Sequence, residues 1–65
     1  MTADRQRAYR MKIEWCQANA VRHMRDALEA LRAGDLKKHG FHLDQIAFWR
    51  KREKACLAVL NGEQE

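Results

Sequence analysis

The chain has 65 residues, no proline and a formal net charge of +4. A chain of this length forms one domain (residues 1–65), buries only roughly 60% of its unfolded surface and usually needs a staple, a metal or a second subunit. Strong helix formers dominate and only five residues are β-branched, so we expect an all-α fold without a sheet. The charged N-terminus lacks the apolar segment of a signal peptide and no apolar run is long enough to cross a membrane, so we expect a cytoplasmic protein.

The first predicted helix covers residues 3–33, with Thr2 or Asp4 as its N-cap and Gly34 as a left-handed stop. Its best apolar stripe repeats every eleven residues, which keeps the stripe nearly straight with little left-handed supercoil. We expect this stripe, widened by two flanking residues, to face the core. The stripe is Tyr9, Ile13, Cys16, Ala20, Met24, Ala27 and Leu31, and the flanking residues are Val21 and Leu28.

A second apolar patch lies on nearly the opposite side of the same helix and is confined to its N-terminal half. Trp, Met and Arg are enriched where proteins bind one another, so this patch is a candidate site for a foreign protein. An equally weighted alternative places Trp15 in a homodimer interface. The predicted partner-binding residues are Met11, Trp15, Ala18, Arg22 and Arg25.

The second predicted helix covers residues 36–60 and begins after Asp35, whose carboxylate suits an N-cap. We expect the Asn61-Gly62 pair to end it and residues 63–65 to fray. An alternative start at Phe41, after a loop through Gly40, stays open. Two helices joined by so short a turn are antiparallel neighbours, so the predicted fold is a helical hairpin.

Two neighbouring apolar stripes run along this second helix and together span an arc of about 200°, wider than one neighbouring helix covers. The stripe facing the first helix is His42, Ile46, Trp49, Glu53, Cys56 and Leu60. The outer stripe is the predicted dimer interface: Phe41, Gln45, Phe48, Arg52, Ala55 and Val59. Two hairpins packed on their outer stripes form a homodimeric four-helix bundle.

The candidate chemical groups favour structural interpretations. His39 and His42 are spaced i, i+3, but the hairpin register places His23 out of easy reach of both, so we expect no metal site and no cofactor. Cys16 and Cys56 face the hairpin core at nearly the same level, where free thiols acting as small apolar groups are favoured over a disulfide.

The one acidic residue in the core-facing stripe, Glu53, is expected to pair with Arg10, Arg50 or Gln17. No nucleophile–base pair and no phosphate-binding glycine loop is present in the sequence, so we expect the protein not to be an enzyme.

A basic run, Arg50-Lys51-Arg52-Glu53-Lys54, raises the alternative of a small nucleic-acid-binding regulator. Wound onto a helix, its four cations point in at least three directions. A helix that reads a DNA groove needs its cations on one side, so nucleic acid is the less favoured partner.

The turn-and-helix stretch LRAGDLKKHGFHLDQIAFWRKR (31–52), together with the length and composition of the chain, resembles small phage or prophage host modulators. The build is similar to that of the phage anti-activators of quorum sensing, which are dimeric helical hairpins that bind host regulators. This resemblance implies inhibition of a host regulatory protein by occlusion, and a short two-helix adaptor remains the alternative. No functional residue is carried over from it.

Overall fold

The computed structural model describes the backbone of residues 2–64 and the side chains of residues 2–62. It is an antiparallel hairpin of two long helices, α1 (Ala3–Arg32) and α2 (Leu36–Gln64). The hairpin is a rod with dimensions of 48 × 15 × 11 Å. The predicted all-α helical hairpin is therefore confirmed.

Specific backbone contacts fix both ends of α1. At the start, the Arg5 N–H donates to Thr2 Oγ1 at 3.2 Å, which identifies Thr2 as the N-cap. At the end, Gly34 N–H donates to the Leu31 carbonyl at 3.0 Å and Asp35 N–H donates to the Ala30 carbonyl at 2.9 Å. This pair of bonds is the Schellman arrangement, which needs a left-handed residue after the helix. Gly34 supplies that residue, with φ of 76°.

The start of α2 also agrees with the sequence. The Asp35 carboxylate accepts the Lys38 N–H at 3.1 Å, and its carbonyl accepts the His39 N–H at 3.0 Å. The helix therefore begins at Leu36 and passes through Gly40 without a break.

The expected end of α2 at Leu60 is wrong, because the helix continues to Gln64. Gly62 does not adopt a positive φ and so does not end the helix. A helical glycine costs only about 1 kcal/mol relative to alanine, and no proline follows to stop the helix.

The residues that pack where the two helices meet form a seam, with alternating steps of three and four residues along each helix. On α2 the seam is the predicted stripe extended by one turn: His39, His42, Ile46, Trp49, Glu53, Cys56 and Leu60, all buried or half-buried. On α1 it is Ile13, Cys16, Ala20, His23, Ala27 and Ala30. This mean step of 3.5 residues is the repeat of a left-handed coiled coil, not the straight eleven-residue repeat expected for α1.

The expected core stripe of α1 is therefore wrong in its second half. Four side chains assigned to the core are exposed: Val21, Met24, Leu28 and Leu31. Ala27 of the expected stripe does face α2, and the other positions there are occupied by His23 and Ala30, which the stripe left out. Short side chains allow the two helix backbones to approach closely, so the larger apolar residues one position along lie on the surface.

Neither helix of the described chain combines the length and apolar character that crossing a membrane requires.

Candidate interaction surfaces

The hairpin has two broad sides, one on each side of the plane that contains both helix axes. Because the helices are antiparallel, the residue before each seam position falls on one side in both helices, and the residue after it falls on the other. We call the first side the aromatic face: Trp15, Phe41, Gln45, Phe48, Arg52, Ala55 and Val59. The second side is the aliphatic face: Val21, Met24, Leu28, Leu31, Leu43 and Leu57.

A cluster of rings forms the centre of the aromatic face. Trp15 of α1 packs edge-on against Trp49 of α2 with ring centroids 4.8 Å apart, and Phe48 packs edge-on against Trp49 at 5.2 Å. The Arg52 guanidinium lies over both Phe48 and Trp49, at 5.5 and 5.8 Å from the ring centroids. Trp15 and Phe48 nevertheless remain 55% and 47% exposed. Such a cluster combines the residue types enriched at protein interfaces.

Trp49 is the most constrained ring of this cluster. Its indole Nε1 is buried and has no hydrogen-bond partner among the described residues. A buried donor without a partner costs free energy, so aromatic packing must offset that cost for Trp49 to remain in the seam.

The predicted partner-binding residues of α1 are all exposed: Met11, Trp15, Ala18, Arg22 and Arg25. The sequence placed Trp15 almost opposite the core, but the structure brings its ring across to Trp49. Trp49 contacts both Trp15 and Phe48, so the predicted partner site and the predicted dimer interface on α2 approach each other at Trp15.

The predicted dimer-interface residues of α2 lie together on the aromatic face, uncovered by α1. Gln45 is half-buried, and the others are exposed: Phe41, Phe48, Arg52, Ala55 and Val59. The contact of Phe41 with His23, with ring centroids 6.5 Å apart, ties the turn end of this stripe to α1.

The aliphatic face was missed by sequence reasoning, which assigned four of its members to the core. Across this face, Gln17 Nε2 donates to Glu53 Oε2 at 2.7 Å. Of the three partners expected for Glu53, the structure therefore shows Gln17. A shallow groove of about 420 Å³ follows this contact and is lined by both helices. Its lining residues are Gln17, Ala20, Val21, Met24, Arg50 and Glu53. The signal that would have identified this face is the three–four spacing from Val21 to Leu31.

Three histidines and one aspartate gather near the turn. The expectation that His23 cannot reach the other histidines is wrong, because His23 Nδ1 and His42 Nδ1 are 2.9 Å apart. The His39 Nδ1–H donates to the Ala27 carbonyl at 2.9 Å, since a carbonyl oxygen only accepts. Ligand atoms of His23, Asp26 and His42 all lie within 4.8 Å of one another, and all three residues are half-buried. The predicted register was about one helical turn off for His23.

The two cysteines are thiols on facing positions of the seam. Burial, followed by the neighbouring Cys56, raises the pKa of the Cys16 thiol above its ordinary value. A raised pKa keeps the thiol protonated and unreactive, so Cys16 has the character of a small apolar core residue.

The basic run of α2 divides between the two sides of the helix. Arg52 stacks on the aromatic face, whereas Arg50, Lys51 and Lys54 line a shallow groove of about 550 Å³ with Glu53 and Leu57. Three of the four cations therefore do share one surface, more than the sequence led us to expect.

Comparison with models of known protein families, with curated protein sequences and with solved structures finds no match to this chain.

Proposed function

We propose that this chain is a non-catalytic protein-binding module. It forms a homodimer through the α2 residues of its aromatic face, and it uses the exposed α1 residues around Trp15 to cover a surface of a regulatory protein. The observation that carries the proposal is that the buried apolar side chains are mostly small, whereas many large apolar side chains are exposed. The buried residues are mostly small: Ile13, Cys16, Ala20, Ala27, Ala30 and Leu60. Twelve large apolar side chains among residues 2–62 are exposed, which a chain that functions alone seldom tolerates.

The surface area supports the same proposal. The hairpin exposes 5104 Å², about 800 Å² more than the roughly 4,300 Å² expected for a compact monomer of 7.7 kDa. About 800 Å² is what each partner contributes to a standard protein interface. The α2 residues of the aromatic face extend from Phe41 near the turn to Val59 near the open end, so two copies can pack these residues against each other under two-fold symmetry. A second copy of the chain is therefore the occupant we propose for them.

The dimer is tested by placing a charge in the aromatic face. In sedimentation velocity at micromolar concentration, we expect the wild type to be a dimer. Phe48→Glu should be monomeric or unfolded, because a carboxylate would be desolvated in the interface. Ala58→Glu is the matched control: it adds the same charge on the exposed outer side of α2 and should leave the dimer intact. A well-folded monomeric wild type would overturn the proposal.

The contact with a foreign protein is tested at Trp15. Truncating a central tryptophan of a binding site typically costs about 2 kcal/mol or more. Trp15→Ala should therefore keep the helical circular-dichroism signal and the dimer, while the protein captured from a bacterial lysate by the wild type is lost. Val21→Ala on the aliphatic face should retain that protein. If Trp15→Ala dissociates or unfolds the chain, the ring is structural and the partner surface lies elsewhere.

The groove lined by Arg50, Lys51 and Lys54 favours one alternative, a small nucleic-acid-binding regulator. Binding of this kind releases counterions from phosphate, so the affinity for duplex DNA should fall steeply as salt is raised. Charge reversal at Lys51 and Lys54 should then abolish binding. Weak retention that is insensitive to these substitutions would exclude the alternative and leave the protein-binding module.

A further inference from the structure

The polar cluster near the turn brings two imidazole nitrogens of different helices into direct contact. His23 Nδ1 and His42 Nδ1 face each other at 2.9 Å, one from each helix. With one proton between them, the two nitrogens form an N–H···N hydrogen bond. With no proton there, two lone pairs oppose each other, and with a proton on each nitrogen, two N–H groups collide. The space between the rings therefore accommodates one proton or one cation.

The distances suit a metal ion with imidazole and carboxylate ligands. Zinc–nitrogen bonds of about 2.0–2.1 Å at a tetrahedral angle place two ligating nitrogens about 3.3 Å apart. The observed 2.9 Å is only a few tenths of an ångström shorter than this separation. Asp26, three residues after His23 on the same side of α1, brings a carboxylate oxygen within 4.8 Å of one ring nitrogen of each histidine. Imidazole and carboxylate together suit zinc and similar divalent ions.

The surroundings of these ligands are accessible to a hydrated cation and carry negative charge that attracts it. Asp26 and His42 line an open groove of about 370 Å³ at the turn end of the hairpin. Its charged lining residues are Asp26, Glu29, Asp35 and Lys38, so negative charge predominates. The Phe41 ring packs edge-on against His42 with centroids 5.2 Å apart, which restricts the orientation of the imidazole.

We propose that His23 Nδ1, His42 Nδ1 and an Asp26 carboxylate oxygen form a binding site for one divalent transition-metal ion of the zinc type. The fourth position opens to the groove and takes water. The ion replaces the proton shared by the two imidazoles. It links α1 to α2 at the seam positions next to the His39–Ala27 contact, on the side away from the turn. This site does not depend on the proposed dimer or on a foreign partner.

The test uses untagged, reduced protein titrated with Zn²⁺ by isothermal calorimetry and by thermal unfolding. We expect one ion per chain. At a free Zn²⁺ concentration about 100-fold above Kd, the melting temperature should rise by roughly 10–20 °C. His42→Asn and Asp26→Asn should weaken binding by at least the roughly 10- to 100-fold that loss of a supporting residue costs a metal site. His39→Asn is the matched control, because His39 Nδ1 is engaged by the Ala27 carbonyl, and it should bind like the wild type.

A second measurement on the wild type keeps the proposal testable if a variant fails to fold. Substitution with Co²⁺ should give the visible absorption of a four-coordinate ion without a thiolate charge-transfer band, because the ligands are nitrogen and oxygen. A strong thiolate band would place the ion at Cys16 and Cys56 and overturn the assignment. Absence of saturable Zn²⁺ binding, undiminished binding by a folded His42→Asn variant, or loss of binding in a folded His39→Asn variant would overturn it as well.

Discussion

Near the turn, the seam between α1 and α2 consists of histidines and alanines, whereas toward the open end of the hairpin it consists mainly of larger apolar and sulfur-containing side chains, with Glu53 as its one acidic residue. At the turn end, His39 binds the Ala27 carbonyl and His23 meets His42. At the open end, where both termini lie, Ile13 and Leu60 are buried and Trp49 packs against Trp15. The same three–four spacing is thus used with two kinds of chemistry.

The difference separates two tasks within one short rod. Directional hydrogen bonds between polar side chains define which residues face each other, while apolar burial supplies most of the favourable free energy of folding. The turn end therefore contributes polar contacts that align the two helices, and the proposed metal site lies there. The open end contributes stability through packing and depends on the size of its side chains.

The largest expected effect comes from removing bulk at the open end. Ile13→Ala deletes most of a buried side chain and leaves a cavity, so it should lower the free energy of unfolding by about 2 kcal/mol or more. Met11→Ala is the matched control, because Met11 is 63% exposed and its loss should change stability by no more than about 0.5 kcal/mol. Urea unfolding followed by circular dichroism measures both. Equal effects of the two substitutions would show that Ile13 is not a core residue.

An intermediate effect, of opposite sign at two glycines, is expected at the turn end. Gly34→Ala places a side chain at φ of 76° and should cost about 1–2 kcal/mol, although no atom lies within 4 Å of the added Cβ. Gly40→Ala adds the same methyl group within α2, also into open space, and should stabilise the protein by about 0.5–1 kcal/mol. Thermal unfolding measures the two shifts. Destabilisation by Gly40→Ala would show that another molecule packs against this part of α2.

The smallest effect concerns reactivity at the open end. Because burial raises the pKa of the Cys16 thiol and shields it, Cys16 should react with a thiol reagent far more slowly than the half-buried Cys56. The folded state holds this proton more tightly than the unfolded state. The free energy of unfolding should therefore fall slightly as pH rises above 9.0, the ordinary pKa of a thiol. Mass spectrometry of labelled peptides measures the two rates, and denaturant should make them equal. Equal rates in native buffer would contradict the buried position of Cys16.

The sequence contained enough information for the turn and for the seam of α2. Gly34 and Asp35 act through local backbone geometry, so their roles as stop and N-cap could be predicted from residue type alone. The α2 stripe from His42 to Leu60 was found because its spacing is regular. The end of α2 was not predicted correctly. An Asn-Gly pair ends a helix in this way only if the glycine adopts a positive φ, and the pair alone does not determine φ.

The seam of α1 could have been deduced, and the reason it was not is physical. An antiparallel partner of a helix with a 3.5-residue repeat must have the same repeat over the same length. Continuing Ile13, Cys16 and Ala20 by steps of three and four gives His23, Ala27 and Ala30. The more apolar Met24 and Leu31 hid this line, because hydrophobicity alone favours large residues in the core. A seam that included His23 would have predicted its contact with His42. Because His23 was left out of the expected stripe, that contact was missed.

The short link between the helices also determines how the chain closes. Ala27 and His39 are 12 residues apart along the chain, His23 and His42 are 19 apart, and Gln17 and Glu53 are 36 apart. The entropy lost in closing a loop rises with the logarithm of its length, and each pair formed shortens the loop that remains for the next. The hairpin can therefore zip from the turn toward the termini with only local contacts, as rapidly folding helical proteins do. Changes near the turn act on the rate of the first closure, and changes at the open end act on the rate at which the rod unzips.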